Sequence, residues 1–406
     1  MAYFPYLCAM NHSSVVRKPK RILFLMSRFL DGGIDTVLVE YLRHLSMHPE
    51  YQLTLAIGTA MGSLEVFSDR VPENVEVCHL VKADWLTKWR QRKIKGGLPL
   101  PAKIYDELLL SPLRRIIMGR RLRQLAAKHD VVIDFDCCFY SFLKSVRVRK
   151  IAWFHFSFEQ SLKQNRRRTL RIGRQLEHYD KVVTIAQSMC EEGRRLFPQL
   201  ADKLCVIYNA KDREVLLQRA QEKTDDQRID TPYILAIERL EESQKDLSTL
   251  LRAYRLLREK YGHQERLYLL GKGHSEQQLR QLAVELGIGN DVVFLGFTNN
   301  PYPWLAGCKA LAHSAKFEGL PTVLVEGLML DRLIVATDCP TGPREILGDG
   351  KAGLLVSVGD AEAMAEALHR ILSDEALQAR LQEGIEEQRR AFSFEAIGKQ
   401  FDELLV

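Results

Sequence analysis

Arg21-Ile-Leu-Phe-Leu-Met26, then Asp31-Gly32-Gly33, then an amphipathic stretch from about Thr36 to Leu45, together decide the fold of this chain. Five consecutive apolar residues after Arg21 read as a buried strand, the glycines as a turn, and the stretch after them as a helix packing back on the strand. The same unit recurs. Leu53–Ile57, Val75–Leu80, Val131–Asp134, Ile151–Phe154, Val182–Ile185 and Leu204–Ile207 are further strand-like runs. A second series begins at Tyr233–Ile237 and a helix at Leu247–Tyr261. It continues through Leu267–Leu270 with Gly271-Lys-Gly273, a helix through Leu286, Val292–Leu295, Ala310–His313 and Leu333–Ala336, with helices near Thr322–Leu330 and Ala361–Leu372. Alternation of this kind predicts an α/β chain of two doubly wound, Rossmann-like domains facing each other across a cleft. Residues 1–210 form the first domain, the polar stretch 211–231 a linker, 232–385 the second domain, and 386–406 a C-terminal helix expected to pack back toward the first. Ligands in such sheets sit outside the carboxyl ends of the strands, so the cleft is the expected site.

At 406 residues and 46% hydrophobic, the chain has material for more than one core. Its net charge of +6 is unevenly placed: residues 1–210 carry 34 Lys and Arg against 20 Asp and Glu, the remainder 24 against 32. A basic half points to an anionic partner, with nucleic acid, acidic lipid and phosphorylated saccharide as the candidates. No recognised nucleic-acid module accompanies the charge, which disfavours the first. The eight cysteines lack metal spacing and include no C-x-x-C, so they read as reduced thiols of a cytosolic protein. Met1–Met10 has no basic n-region, and no apolar run reaches the length of a membrane span.

Lys316-Phe-Glu-Gly-Leu-Pro-Thr-Val-Leu-Val-Glu326 is the strongest local signal. Glu318 leads a turn that opens a helix, where the N–H groups of Gly319, Leu320 and Thr322 and the helix dipole suit an anion. Pro321 costs little at a helix start. Eight residues of helix separate Glu318 from Glu326 by about 12 Å, too far for the carboxyl pair of a glycosidase. One extended ligand fits the pair better, with a sugar at Glu318, phosphate at the helix start and ribose at Glu326. Arg239 follows a strand and Lys245 precedes a helix, placing two cations where a diphosphate would lie. Gly32 and Gly33 permit close backbone approach, and His155 ends a strand of the basic domain in Ala152-Trp-Phe-His-Phe156. Each has a plainer reading: a solvated carboxylate, surface cations, an ordinary turn, a core histidine.

Together these residues resemble the E-x7-E motif and phosphate-binding cations of the retaining glycosyltransferases of family 4. Val206-Ile-Tyr-Asn209, Gly296-Phe297 and the Asp338-Cys-Pro-Thr-Gly-Pro-Arg-Glu345 run, similar to one in bacterial members that build lipopolysaccharide, capsule and protein-linked glycans, extend the resemblance over roughly residues 20–400. The resemblance implies a GT-B fold, no metal or other cofactor, and a nucleotide-diphospho-sugar donor. UDP is the implied base, with GDP the alternative. The reaction would be metal-independent transfer with retention, by front-face attack, of a hexose or N-acetylhexosamine to a saccharide or lipid-linked saccharide acceptor. Carried over, Arg239, Lys245, Glu318 and His155 would be catalytic. Gly32, Gly33, Gly271, Phe297, Gly319, Leu320, Pro321, Thr322 and Glu326 would join Arg239, Lys245 and Glu318 around the donor. Glu238 stands where the family usually has Gly, which puts the approach of the donor at that loop in question. A nucleotide-sugar epimerase of the same fold and a non-catalytic binding protein are the other readings. The basic clusters Lys88–Lys95 with Trp85 and Trp89, Arg114-Arg115, Arg120–Arg123 and Arg166–Arg168 would dock the protein on an anionic membrane, at the cytoplasmic face of the inner membrane.

Overall fold

Ile22, Leu23, Phe24 and Leu25 are fully buried, as a strand covered on both faces requires. The computed structural model describes residues 18–405 apart from Asp31 and Asp225. The reading of Met1–Met10, and the first residue of the Asp31-Gly32-Gly33 turn, lie outside the described residues. Seven parallel strands form the first sheet: β1 (Lys20–Met26), β2 (Tyr51–Thr59), β3 (Glu76–Val81), β4 (Val131–Asp134), β5 (Arg149–Phe154), β6 (Lys181–Thr184) and β7 (Leu204–Val206). Their spatial order is β3-β2-β1-β4-β5-β6-β7. Six parallel strands form the second: β8 (Tyr233–Ile237), β9 (Arg266–Leu270), β10 (Val292–Gly296), β11 (Ala310–His313), β12 (Ile334–Thr337) and β13 (Leu354–Val356), in the order β10-β9-β8-β11-β12-β13. Helices cover both sheets, giving the expected pair of Rossmann-like domains.

The anticipated strands form within about two residues of their expected ends. β13 was not anticipated: its three residues are too few to show a period. The stretch 211–231, read as a linker, contains the helix Arg213–Ala220, capped by Asp212, whose carboxylate accepts from Glu214 N (3.0 Å) and Val215 N (3.2 Å). That helix buries only Leu216, so it shows no apolar face in the sequence.

The C-terminal helix Phe394–Leu405 buries Phe394, Ile397, Phe401, Leu404 and Leu405, a 3.6-residue repeat that makes one apolar stripe. The stripe lies on the first sheet's helical cover: Phe394 and Phe401 meet the Tyr41 ring at 5.6 and 6.2 Å, and Phe401 meets Trp153 at 6.4 Å. Lys20 Nζ donates to Leu405 O at 2.8 Å and Arg149 to Leu404 O at 3.1 Å, two cations on the negative end of the helix. The chain thus crosses between domains twice, side by side, where Lys211 N donates to Phe392 O at 2.9 Å. Among the described residues no helix is long and apolar enough to cross a membrane.

Candidate functional site

In the second sheet the strand order reverses between β8 and β11, which are neighbours. The connections leave this pair in opposite directions and open a crevice at their carboxyl ends. Arg239 follows β8, and Ser314 to Glu318 follow β11. Arg239 is exposed and makes no side-chain hydrogen bond or ion pair with the described residues. Lys245, just before the helix Leu247–Tyr261, pairs with Glu318 Oε1. Gln244 Nε2 reaches Glu318 Oε2 at 3.5 Å. Burial opposes the charge on Lys245, but Glu318 and Glu238 outweigh it and its pKa is raised.

Beneath this pair lies a buried polar layer that the sequence did not reveal. His313 ends β11 with Nε2 3.6 Å from Glu318 Oε1 and Nδ1 2.8 Å from Glu238 Oε1. Neither ring nitrogen has hydrogen-bond geometry to a partner among the described residues, so these are contacts of distance and charge. Glu238 is buried, and Ser314 N donates to its Oε1 at 2.9 Å. Burial raises its pKa, but His313 and Lys245 more than offset that, and the net direction is down. The Glu238 side chain is therefore buried beneath the loop, against His313 and Ser314 N. Gly271 packs against that loop's backbone: at φ +148° a Cβ there would lie 1.9 Å from Glu238 O.

Pro321 stands at the N-cap position of the helix Thr322–Met329, which has no side-chain cap. Glu318 N donates to Pro340 O at 3.4 Å, whereas the N–H groups of Gly319, Leu320, Thr322 and Val323 have no intramolecular acceptor among the described residues. These uncommitted donors open the helix whose turn carries Glu318, the partner of Lys245, and Arg239 follows the neighbouring strand β8, an arrangement that could hold an anion.

Glu326 lies on the same helix and is not a solvated carboxylate. It is buried, with Oε1 2.8 Å from Lys211 Nζ and 3.5 Å from Tyr302 Oη. Lys211 is fully buried and also reaches Glu40 Oε1 at 2.9 Å. Burial disfavours its ammonium, but Glu326 and Glu40 together hold its pKa above the usual lysine range. Glu40 lies on the helix Gly33–Leu45 of the first domain, so Lys211 ties both domains together at the crossing point.

The first domain meets this site closely. His155 follows β5 and is buried; its Nε2 donates to Phe135 O at 2.8 Å, which fixes the tautomer and leaves Nδ1 as an acceptor. Burial pushes its pKa down to about 4. Its backbone lies against the helix start, since a Cβ on Gly319 would be 2.7 Å from His155 O. What lies against Gly319 is the His155 carbonyl, while the ring is anchored through Nε2 on Phe135 O. Gly32 N donates to Asp35 Oδ2 at 2.9 Å, so that N–H is already used, and Gly33 begins the helix with open space where a Cβ would be. Phe297 is exposed beside Gly296, with Lys272 Nζ 4.6 Å from its ring centre. Glu345, on the helix Pro343–Ile346, accepts from Gln187 N (2.5 Å), Ser188 N (3.4 Å) and Tyr208 Oη (2.6 Å) of the first domain.

Residues 218–388 match the family described as Glycosyl transferases group 1. The chain is 34% identical over 194 residues, 48% of its own length and 51% of the relative's, to the Campylobacter jejuni N-acetylgalactosamine-N,N'-diacetylbacillosaminyl-diphospho-undecaprenol 4-alpha-N-acetylgalactosaminyltransferase. It is 33% identical over 200 residues, 49% of its length and 56% of the relative's, to the lipopolysaccharide core biosynthesis glycosyltransferase LpsE of Rhizobium meliloti. The chain spans about half the length of these curated relatives. In structure it resembles HepE of Anabaena, solved with UDP and glucose, at a TM-score of 0.74 and 18% identity, covering 95% of this chain and 99% of that one. Two parallel-sheet domains, a two-cation crevice at the second switch point and a family match over that domain agree. Residues 218–388 thus match the glycosyl transferases group 1 family model, within a chain whose two domains have the GT-B fold.

Proposed function

We propose that the chain is a retaining, metal-independent glycosyltransferase that moves a hexose or N-acetylhexosamine from a UDP-sugar to a saccharide or lipid-linked saccharide in bacterial surface-glycan assembly. The observation that carries this reading is the crevice between β8 and β11, where Arg239 follows β8 and Lys245 pairs with Glu318, which leads the Gly319–Val323 turn and its free N–H groups. A diphosphate there meets two cations and a helix start. Its charge grows as the sugar leaves, and donors already in place stabilise that growth without reorganising. The cations supply the neutralisation a divalent metal gives elsewhere, which supports a metal-free step. Glu318, held by Lys245, lies at the sugar end. Glu326 lies at the ribose end, its Oε1 engaged by Lys211. The UDP base is favoured by the UDP-bound HepE, and the acceptor class by the names of the two curated relatives.

The test is turnover of UDP-sugars by the purified chain with lipid-linked saccharide acceptors in the presence of EDTA, with the anomeric configuration of the product read by NMR. Release of UDP with the donor's configuration kept is expected. Arg239→Ala and Lys245→Ala should each lower kcat on the order of a hundredfold, the scale seen when one transition-state donor is removed. Activity that vanishes in EDTA and returns with a divalent metal would overturn the metal-free step. Isomerised sugar without acceptor would make the chain an epimerase.

A further inference from the structure

The first sheet has its own switch point, between the neighbouring strands β1 and β4. A cavity of about 610 Å³ opens there, lined by Ser27 after β1, Thr59 at the end of β2 and Cys138 after β4. It lies on the same carboxyl edge as His155, toward β2 rather than β6. Five cations line it: Arg28, Arg90, Lys93, Arg114 and Arg115. Arg114 is committed, donating to Asp106 Oδ1 at 2.7 Å and Leu86 O at 2.8 Å, though its buried Nε has no partner among the described residues. Lys93 is 3.8 Å from Glu107, and Arg115 donates to Ser141 Oγ at 3.3 Å. Arg28 and Arg90 make no hydrogen bond or ion pair with the described residues. The nearby Asp136 is used by Ser27 N at 2.9 Å. Burial first, and then the charge of Arg114, lower the pKa of Arg90; Asp106 opposes this and Arg28 adds to it.

The opposite wall is apolar. Ile94, Met118, Phe139 and Phe142 line it. Beyond them the helical stretch Leu100–Tyr105 and its continuation Asp106–Leu110 leave Leu100, Ile104, Leu108 and Leu109 at least half exposed. A pocket with more cations than carboxylates, two of them unpaired among the described residues, and with an apolar lip fits an amphiphile whose anionic group lies between a polar head and a hydrocarbon chain.

We propose that this cavity is the seat of the acceptor's diphosphate, held by Arg28, Arg90 and Arg115, with the acceptor's hydrocarbon chain leaving over the apolar lip and its sugar directed along the sheet edge toward His155. This rests on the transferase reading for the word acceptor; the binding of a lipid diphosphate stands apart from it.

Isothermal titration of the full chain with farnesyl diphosphate, inorganic pyrophosphate and farnesol, each with UDP present and absent, tests the site. Farnesyl diphosphate is expected to bind at least tenfold tighter than pyrophosphate, with farnesol silent and UDP without effect on it. Arg28→Gln with Arg90→Gln should weaken farnesyl diphosphate at least tenfold and leave UDP affinity unchanged, which also reports an intact fold. Should that pair misfold, Arg28→Gln alone, at an exposed position, serves with an expected loss of about threefold. No binding of farnesyl diphosphate, binding untouched by these variants, displacement by UDP, or equal competition by phosphatidylglycerol vesicles each overturns the proposal. Absence of UDP binding, with farnesyl diphosphate still bound at the cavity, would instead count against the transferase reading alone.

Discussion

Lys211 shows why single residues here must be judged by their partners. A fully buried ammonium between Glu40 and Glu326 has strong attraction and a heavy desolvation cost, and the balance holds only while both are present. Lys211→Met should lower stability by about 3–5 kcal/mol in urea denaturation, because two carboxylates are then left buried and facing each other. Glu326→Gln keeps the shape and an acceptor oxygen for Lys211 but removes one of its two balancing charges, so the proposed ribose contact is read from donor affinity in a variant first shown to be folded. Donor affinity should fall about tenfold with kcat little changed, as for ground-state contacts to a charged group. Unchanged affinity in a folded variant would remove Glu326 from the ribose. His155 adds a pH signature. Its pKa is 6.5 in the unfolded chain and about 4 in the fold, because burial disfavours the imidazolium. Between those values the unfolded chain binds more protons, so stability rises with pH and is lost as pH falls from 6.5 toward 4, by about 3 kcal/mol in full. His155→Gln can still donate to Phe135 O and should flatten that acid limb in urea titrations run across the window. An unaltered slope would mean another group titrates there.

Among elements, what the sequence disclosed follows from burial. Strands covered on both faces read as apolar runs wherever they reach four or five residues, which is why β8 and β11 were legible and the three-residue β13 was not. Arg239, Lys245, Glu318 and Thr322 could be grouped because each sits at a strand's carboxyl end or a helix start, a position the pattern itself marks. Lys211, His313 and the downward turn of Glu238 could not. Their meaning comes from partners far along the chain: Glu40 is 171 positions from Lys211. Glu345 belongs to the same class. The helix Gln187–Leu196 follows Ala186 and has no side-chain cap of its own. A carboxylate from the other domain fills that role, while Tyr208, raised in pKa by burial and by Glu345, holds the carboxylate from the side. Glu345→Ala should cost about 1–2 kcal/mol, the range for a lost cap, and should also increase the radius of gyration in small-angle scattering, because this cap is a contact between domains. A loss of stability with no change in dimensions would confine Glu345 to a local role.

Across the whole molecule, the charge of the first half divides once the side chains are placed. Arg114 is buried against Asp106 and is no surface charge, whereas Arg121 donates to Leu80 O at 2.9 Å and stays exposed. Lys88, Arg92 and Lys95 on the helix Asp84–Gly96, and Arg166 to Arg168 on the helix Phe158–Leu176, are exposed. Trp85 is exposed beside the first group, and Arg92 lies 5.3 Å from the ring of the half-buried Trp89. Cations with an interfacial aromatic are the makings of peripheral attachment to an anionic leaflet, at about 1 kcal/mol for each cation near the surface. Replacing Lys88, Arg92 and Lys95 together by Gln should therefore weaken binding to phosphatidylglycerol vesicles on the order of a hundredfold in a sedimentation assay at 0.1 M salt. Trp85→Ala should weaken it less and keep the salt dependence, because it removes apolar contact and no charge. At 0.5 M salt the wild type should lose most of its binding, since exposed charges are screened within several ångströms. Equal binding to neutral phosphatidylcholine vesicles, or binding that ignores salt, would show that the basic face has some other purpose and that attachment, if present, is made by the apolar stretch 100–110 alone.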